Sequence, residues 1–136
     1  MSLHQLIYAS RPFGFDQAAL NGILVQARRC NTRDGITGAL ICRSDLYLQL
    51  LEGPEDAVEA AYARIVRDDR HIEVNRLSST PVADRLFPNW AMRDDPARSW
   101  LWTREEVGAG VVAQVSREAL LRVFGRLAAE PDRASA

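Results

Sequence analysis

The chain has 136 residues, of which 47% are hydrophobic and 26% charged, a composition typical of one globular domain. The 17 Lys and Arg residues and 18 Asp and Glu residues give a formal net charge of −1, whereas a nucleic-acid-binding protein usually carries a basic patch. No apolar run approaches the roughly 20 residues of a membrane span, and the N-terminus has no secretory pattern, so we expect a cytoplasmic protein that binds neither membrane nor nucleic acid.

The first half of the chain predicts a strand, a helix and a hairpin. Residues 3–10 alternate between two faces, as in a strand. Asp16 is suited to cap a helix over residues 17–30, where apolar residues recur at helical spacing. A turn at residues 32–35 leads to two strands, over residues 36–42 and 46–52.

The second half predicts another helix, two strands and a helical tail. Pro54 fits the first helical position, and the apolar stripe of this second helix comprises Val58, Ala61, Tyr62 and Ile65. Residues 74–80 predict a fourth strand, and residues 91–93 predict a short fifth strand. Thr103 and Glu106 have the spacing of a capping box. The apolar stripe of a last helix comprises Leu120, Phe124, Leu127 and Ala128.

This order of elements, βαββαβ, predicts an α+β, ferredoxin-like sandwich in which two helices pack on one face of an antiparallel or mixed sheet. We expect residues 1–96 to form the core domain and residues 97–136 to form a C-terminal helical extension with a frayed tail. The last helix needs an apolar partner. It can cover the outer face of the sheet, which carries Leu46, Leu48 and Leu50, or it can pair with a second chain. We also expect a homodimer or a larger homo-oligomer.

Two polar side chains stand on strands that should be buried. Gln49 lies in the otherwise apolar segment LYLQLLE, and Tyr8 lies in the middle of the first strand. A buried amide or hydroxyl without a hydrogen-bond partner costs about 1–3 kcal/mol, so both side chains need partners. Taken alone, each favours a structural interpretation, Gln49 as a satisfied structural glutamine and Tyr8 as a core tyrosine with its hydroxyl at the rim.

Other polar and aromatic residues also have structural interpretations. Asn31, at the end of the first predicted helix, is typical of a C-terminal cap. Three residues end the second predicted helix, where basic groups suit the helix dipole: Asp68, Arg70 and His71. Trp90 and Met92 are typical of core packing. Cys30 and Cys42 form no metal-binding or redox motif, and we expect no metal site.

Together these residues resemble the BLUF family, blue-light sensors that use a flavin. The resemblance covers most of residues 6–92 and is carried by the segments LIYAS (6–10), ARRCNTRDGITGALI (27–41), LQLLEGPEDAVEAAYARIVRDDRH (48–71) and FPNWAM (87–92). It implies the same sandwich, with FAD bound non-covalently between the two helices of the core. FMN and riboflavin are alternative cofactors.

The resemblance also assigns roles to individual residues. It implies that Tyr8 and Gln49 are the photoactive pair, with Trp90 and Met92 competing for the place beside Gln49. It implies further cofactor contacts near the ring at Ser10, at the pyrimidine side at Asn31, and towards the ribityl and phosphate end at Asp68, Arg70 and His71.

The chemistry implied is a switch in a hydrogen-bond network. Tyr8 gives an electron and a proton to the excited flavin, and the Gln49 amide rotates or tautomerises. The resulting red-shifted state passes through the sheet and residues 97–130 to a separate effector protein, so we expect no enzyme activity.

Two other classes of function stay open at this stage. A hydrolase resembling acylphosphatase has the same fold, but it would need a phosphate-binding loop, and the segment Arg11-Pro12-Phe13-Gly14 is a poor candidate. A non-photoactive interaction domain that forms oligomers is the other alternative. A yellow purified protein would separate the photoreceptor from both.

Overall fold

The computed structural model describes residues 3–13, 17–68, 70–96 and 101–130. The strands are β1 (Leu3–Pro12), β2 (Thr37–Arg43), β3 (Leu46–Pro54), β4 (His71–Val82) and β5 (Arg93–Pro96). The helices are α1 (Gln17–Asp34), α2 (Glu55–Val66), α3 (Arg104–Gly108) and α4 (Arg117–Ala128), and a 3-10 helix, Val111–Gln114, lies between α3 and α4.

The strands form one sheet in the order β4-β1-β3-β2-β5. The pairs β1–β3, β1–β4 and β2–β3 are antiparallel, and β5 runs parallel to β2 at the edge. The predicted ferredoxin-like arrangement of two βαβ halves is therefore confirmed, in a mixed sheet with β5 added.

Alternate side chains of the sheet enter two separate cores. The inner core joins Leu6 and Tyr8 of β1 to apolar residues of α1 and α2: Leu20, Ile23, Leu24, Val58 and Ala61. The outer core joins the other faces of β1 and β3 to α4, through Ile7, Ala9, Leu46, Leu48, Leu50, Leu120, Phe124 and Leu127. Both faces of the sheet are thus covered, and α4 occupies the outer one.

Helix α1 ends later than its sequence pattern indicates. It continues to Asp34, and the chain turns at Gly35, whose φ is 72°. Asn31 is therefore inside the helix, and its predicted role as a C-terminal cap is wrong. The Asn31 side chain donates a hydrogen bond to the Ala91 carbonyl at 2.8 Å, and its own backbone carbonyl accepts from the Ile36 amide at 2.9 Å. These contacts outside the helix stabilise its last turn against the turn propensity of the sequence.

The strand boundaries also differ from prediction where pairing decides them. The fourth strand, predicted over residues 74–80, spans His71–Val82 because it pairs along the whole of β1. The fifth strand spans Arg93–Pro96 instead of residues 91–93. Pro54 precedes α2 as its N-cap residue instead of occupying the first helical position. The predicted cap at Asp16 lies outside the described residues.

The C-terminal helices begin with well-formed caps. Thr103 and Glu106 form the predicted capping box, in which the Thr103 hydroxyl accepts from the Glu106 amide at 3.1 Å and the Glu106 carboxylate accepts from the Thr103 amide at 2.9 Å. The Ser116 hydroxyl caps α4 in the same way, accepting from the Ala119 amide. None of the helices in the described ranges is long and apolar enough to cross a membrane.

Candidate functional site

A buried hydrogen-bond chain runs across the inner face of the sheet. Tyr8 and Gln49 are direct partners in the β1–β3 register, and both are almost fully buried. The Tyr8 hydroxyl donates to the Gln49 side-chain carbonyl, and the Gln49 Nε2 donates to the Met92 sulfur at 3.2 Å. The amide therefore accepts at one end and donates at the other, and exchanging the ends would reverse the bond to Tyr8 and break the bond to Met92, whose sulfur can only accept.

Burial keeps the Tyr8 phenol neutral. Loss of hydration raises the pKa of Tyr8 well above its usual value, and the negative charge of Asp68 raises it further. The phenol is therefore protonated at neutral pH, and its proton lies on the hydrogen bond to the Gln49 carbonyl.

A cavity opens beside Gln49, between α1 and α2, with a volume of about 70 Å³. It is lined by Ile23, Gln26, Ala27, Cys30, Asn31, Gln49, Leu51, Ala61, Arg64, Ile65, Asp68, Arg70 and His71. The lining thus combines aliphatic side chains with the amides of Gln26, Asn31 and Gln49 and with the charged groups of Arg64, Asp68 and Arg70.

Asp68 and Arg70 form the charged end of the cavity. The Arg70 guanidinium donates to the Asp68 carboxylate at 2.6 Å and to the Gln26 side-chain carbonyl at 2.7 Å, so it links α1 to the segment before β4. Burial opposes ionisation of Asp68, but the hydrogen bonds and charge of Arg70 win and lower the pKa of Asp68. The pair is therefore ionised at neutral pH.

His71 is a neutral, buried member of the same end. Its Nδ1 lies 2.8 Å from the Ser10 hydroxyl, and its ring packs against Tyr47 with centroids 5.0 Å apart. Burial lowers the pKa of His71 to about 4, although the Asp68 carboxylate acts in the opposite direction. His71 therefore serves as a hydrogen-bonding group without charge at neutral pH.

The structure places almost all of the candidate residues around this cavity. Asn31, Gln49, Asp68, Arg70 and His71 line it. Tyr8 and Met92 join it through Gln49, and Ser10 joins it through His71. The prediction that Asp68, Arg70 and His71 end α2 is wrong. All three follow the helix, and His71 begins β4.

Trp90 is the exception, because it lies on the opposite side of the sheet. Its side chain packs with the outer core, and its carbonyl accepts a hydrogen bond from the Gly38 amide at 3.0 Å. Met92 packs in the inner core and contacts Gln49. Of the two candidates for the place beside Gln49, this structure therefore has Met92 there and Trp90 away from it.

Two wall residues, Gln26 and Arg64, were not predicted individually. Gln26 follows Ile23 by three residues, just as Ala27 and Cys30 follow it by four and seven, so the helical spacing of α1 could have identified Gln26. Arg64 lies on the α2 side and also pairs with Asp34 at 3.5 Å. No local pattern distinguishes Arg64 from a solvent-exposed arginine.

The loop considered for a phosphate has other contacts. The Arg11 guanidinium is 2.8 Å from the Glu73 carboxylate, and Pro12 is the last residue of β1. Gly14 lies outside the described residues. Cys30 is half-buried and Cys42 is buried, and they are not joined by a disulfide.

Comparison with known proteins gives a consistent match. The family described as "BLUF: Sensors of blue-light using FAD" matches residues 3–93. The photoactivated adenylate cyclase subunit beta of Euglena gracilis is 36% identical over 92 residues, which are 67% of this chain and 10% of that protein. The chain thus spans about a tenth of the length of that relative.

Solved structures agree over nearly the whole chain. The dark-state structure of BlrB, a BLUF protein, is 29% identical with a TM-score of 0.74, and the match covers 94% of this chain and 96% of that one. The photo-activated state of BlsA has a TM-score of 0.81 at 23% identity, with 96% and 97% covered, and supports the fold.

Proposed function

The chain belongs to the BLUF family of sensors of blue light using FAD, and we propose that Tyr8 and Gln49 are its photoactive pair. The observation that carries this assignment is the continuous hydrogen-bond chain from the Tyr8 hydroxyl through the Gln49 amide to the Met92 sulfur. It lies in a buried strand pair and opens onto the cavity between α1 and α2.

The donor set around the cavity fits a flavin. The aliphatic walls suit a flat ring, the amides of Asn31 and Gln49 suit its pyrimidine edge, and Arg70 suits a phosphate. The cavity of about 70 Å³ is smaller than a three-ring system, and the Arg70–Gln26 hydrogen bond lies along it. Binding a flavin therefore requires the walls of the cavity to move apart, and we propose that Arg70 then exchanges Gln26 for the cofactor. FAD is the cofactor we propose, with FMN and riboflavin as alternatives.

The residues of the chain then perform the switch. A bound flavin supplies an excited state that accepts an electron. Tyr8 would supply that electron while its proton moves along the hydrogen bond to the Gln49 carbonyl, and both would return to Tyr8 once the amide has exchanged its ends. Rotation or tautomerisation of the Gln49 amide exchanges its donor and acceptor ends and so changes the bond to Met92.

The output is proposed to leave through the C-terminal part of the chain. We assign flavin binding to residues 1–96 and signal transfer to residues 97–136, and α4 is well placed because it shares the outer core with β1 and β3. The target would be a separate effector protein. A homodimer also belongs to this proposal. The outer face does not support it because α4 covers that face, but Phe13, Val25 and Val66 are exposed apolar side chains.

The first experiment identifies the cofactor. The purified protein should be yellow, and denaturation should release about one flavin per chain, which chromatography assigns as FAD, FMN or riboflavin. Asn31→Ala should lower the flavin content, whereas Val25→Ala on the exposed side of α1 should not. A colourless protein that takes up no added flavin would contradict the proposal.

A further inference from the structure

One segment, residues 85–92, runs from the outer core to the photoactive pair, and we name it the strap. At one end the Met92 sulfur accepts from Gln49. Near the other end the buried ring of Phe87 meets Phe124 of α4 edge-on, with centroids 6.3 Å apart. Arg85 fastens the strap to the sheet by donating to the Thr37 hydroxyl at 2.8 Å. The strap therefore contacts both the switch and the last helix.

A buried carboxylate on the neighbouring strand β3 accepts hydrogen bonds from the backbone of the strap. Glu52 of β3 has no exposed surface. Its oxygens accept hydrogen bonds from the backbone amides of Leu86 at 2.8 Å and Phe87 at 3.0 Å. A carboxylate in an apolar core is costly unless such donors satisfy it, so this position favours one arrangement of the strap.

The same carboxylate connects to α4 by a second route. Gln5 faces Glu52 across the β1–β3 pair and donates to it from Nε2 at 3.2 Å. The Gln5 side-chain carbonyl in turn accepts from the Arg117 guanidinium at 2.9 Å, in the first turn of α4. Both hydrogen bonds, from Arg117 to Gln5 and from Gln5 to Glu52, have their donor on the side away from Glu52. The orientation of the Gln5 amide therefore depends on an acceptor at position 52.

We propose that Glu52 is a positioning residue of the light switch: its carboxylate fixes the strap so that Met92 meets Gln49, and it ties that arrangement to α4 through Gln5 and Arg117. This inference rests on the proposed photochemistry of Tyr8 and Gln49. Glu52 acts on that pair through the backbone of residues 86 and 87, which its carboxylate holds. Loosening the strap should disfavour the arrangement with Met92 at Gln49 and should slow the thermal return to it.

The variant Glu52→Gln tests this with little change in volume. The introduced amide can still accept from the strap through its carbonyl, but its NH₂ then faces Gln5, whose own amide must turn and present a donor to Arg117. We expect a normal light-induced red shift and dark recovery at least about threefold slower, near the lower end of couplings between contacting residues. Adding Gln5→Glu supplies an acceptor both to the introduced amide and to Arg117 and should bring recovery back towards the wild-type rate.

A Met92→Leu background distinguishes positioning from general destabilisation. In this background the strap no longer presents a sulfur to Gln49, and Met92→Leu alone is the reference for both the size of the red shift and the rate of recovery. Glu52→Gln should therefore change recovery by less than about 1.5-fold in this background, because the coupled partner is gone. Slowing of equal size with and without Met92 would overturn the proposal, as would an unchanged rate in the single variant.

Arg117→Leu keeps the test decisive if Glu52→Gln fails to fold, because Arg117 is exposed and ends the same chain of hydrogen bonds. It should slow recovery about twofold with Met92 present and leave it unchanged in Met92→Leu, and any other result would overturn the proposal. A wild-type chain without a red shift would instead contradict the photoactive pair itself. The two failures are therefore distinguishable.

Discussion

The amide of Gln49 is engaged at both ends, which explains why glutamine is needed at this position. The Tyr8 hydroxyl donates to the Gln49 carbonyl, and the Gln49 NH₂ donates to the Met92 sulfur. Leucine would fill the space but leave the buried Tyr8 hydroxyl without an acceptor, at a cost of about 1–3 kcal/mol. A carboxylate could accept from Tyr8 but could not donate to Met92 when ionised. The amide is thus the side chain that can make both bonds and can exchange its donor and acceptor ends without changing charge.

His71 predicts a specific dependence of stability on pH. Its pKa is about 4 in the folded chain and near the usual value of 6.5 when unfolded, so between these values the unfolded chain binds more protons. The free energy of unfolding should therefore fall as pH decreases from 6.5 to 4, with His71 contributing up to about 3 kcal/mol of the loss. Urea unfolding measures this loss of free energy when it is carried out at about pH 7, above the range, and at about pH 4.5, near its lower end.

The matched control for this effect is His71→Gln, which retains a hydrogen-bonding group for Ser10 but does not titrate. The loss of stability between the two pH values should be smaller in the variant by about 2 kcal/mol. An identical loss in both proteins would show that His71 is not held neutral by burial.

Some of the site could be predicted from residue patterns and some could not. The alternation of strand side chains identifies Tyr8 and Gln49 as polar groups on buried strands, and the structure pairs them directly. The choice between Trp90 and Met92 depends on which of them points inward, and the hydrogen bond between Gly38 and the Trp90 carbonyl helps to fix this. A contact between such distant segments has no local sequence pattern. Family resemblance supplied the residues but not their sides of the sheet.

At the scale of elements, Gly38 shows how closely two strands approach. A Cβ atom at this position of β2 would lie 1.9 Å from the Leu50 carbonyl oxygen of β3, which is backbone and cannot move aside. Gly38→Ala should therefore lower the free energy of unfolding by about 3 kcal/mol or more. Chemical denaturation followed by circular dichroism measures it.

Gly125 provides the opposite case. It lies inside α4, and a Cβ atom there would meet nothing within 4 Å. Gly125→Ala should therefore stabilise the protein by about 0.5–1 kcal/mol through helix propensity.

A Gly38→Ala protein as stable as the wild type would mean that the β2–β3 pairing is wrong.

Element types followed from periodicity, whereas element ends required the whole structure. The apolar stripes of α2 and α4 and the alternation of β1 led to correct assignments. The end of α1 did not, because Asn31 makes its stabilising bond to Ala91, which is distant in the sequence. The length of β4 likewise depends on its pairing with β1. Long-range contacts override local turn propensity at both places.

At the scale of the whole molecule, the two cores are separated by one sheet, and the strap joins them. A change at Gln49 can therefore reach α4 through Met92 and Phe87. We expect light to change the hydrogen exchange of residues 101–130 more than that of α1. Mass spectrometry of the dark and illuminated protein measures it. Trp100, at the entry to this segment, lies outside the described residues.

Helix α1 is the internal control for this experiment, because it packs in the inner core, across the sheet from the outer core that holds α4. Equal exchange of residues 101–130 in the dark and in the light, together with a normal spectral shift, would contradict an output through α4. The photochemistry would stand, and the signal would leave by another surface.

The most direct test of the central claim is the light-minus-dark absorption spectrum of the flavin-loaded chain. The wild type should show a red shift after blue light that decays in the dark, because an exchanged Gln49 amide would present a different hydrogen-bonding group to a bound flavin and so lower its excitation energy. Tyr8→Phe, which keeps the ring but removes the proton and the easily lost electron, should bind flavin and show no such shift. A normal shift in Tyr8→Phe would contradict the assignment of Tyr8 and Gln49 as the photoactive pair.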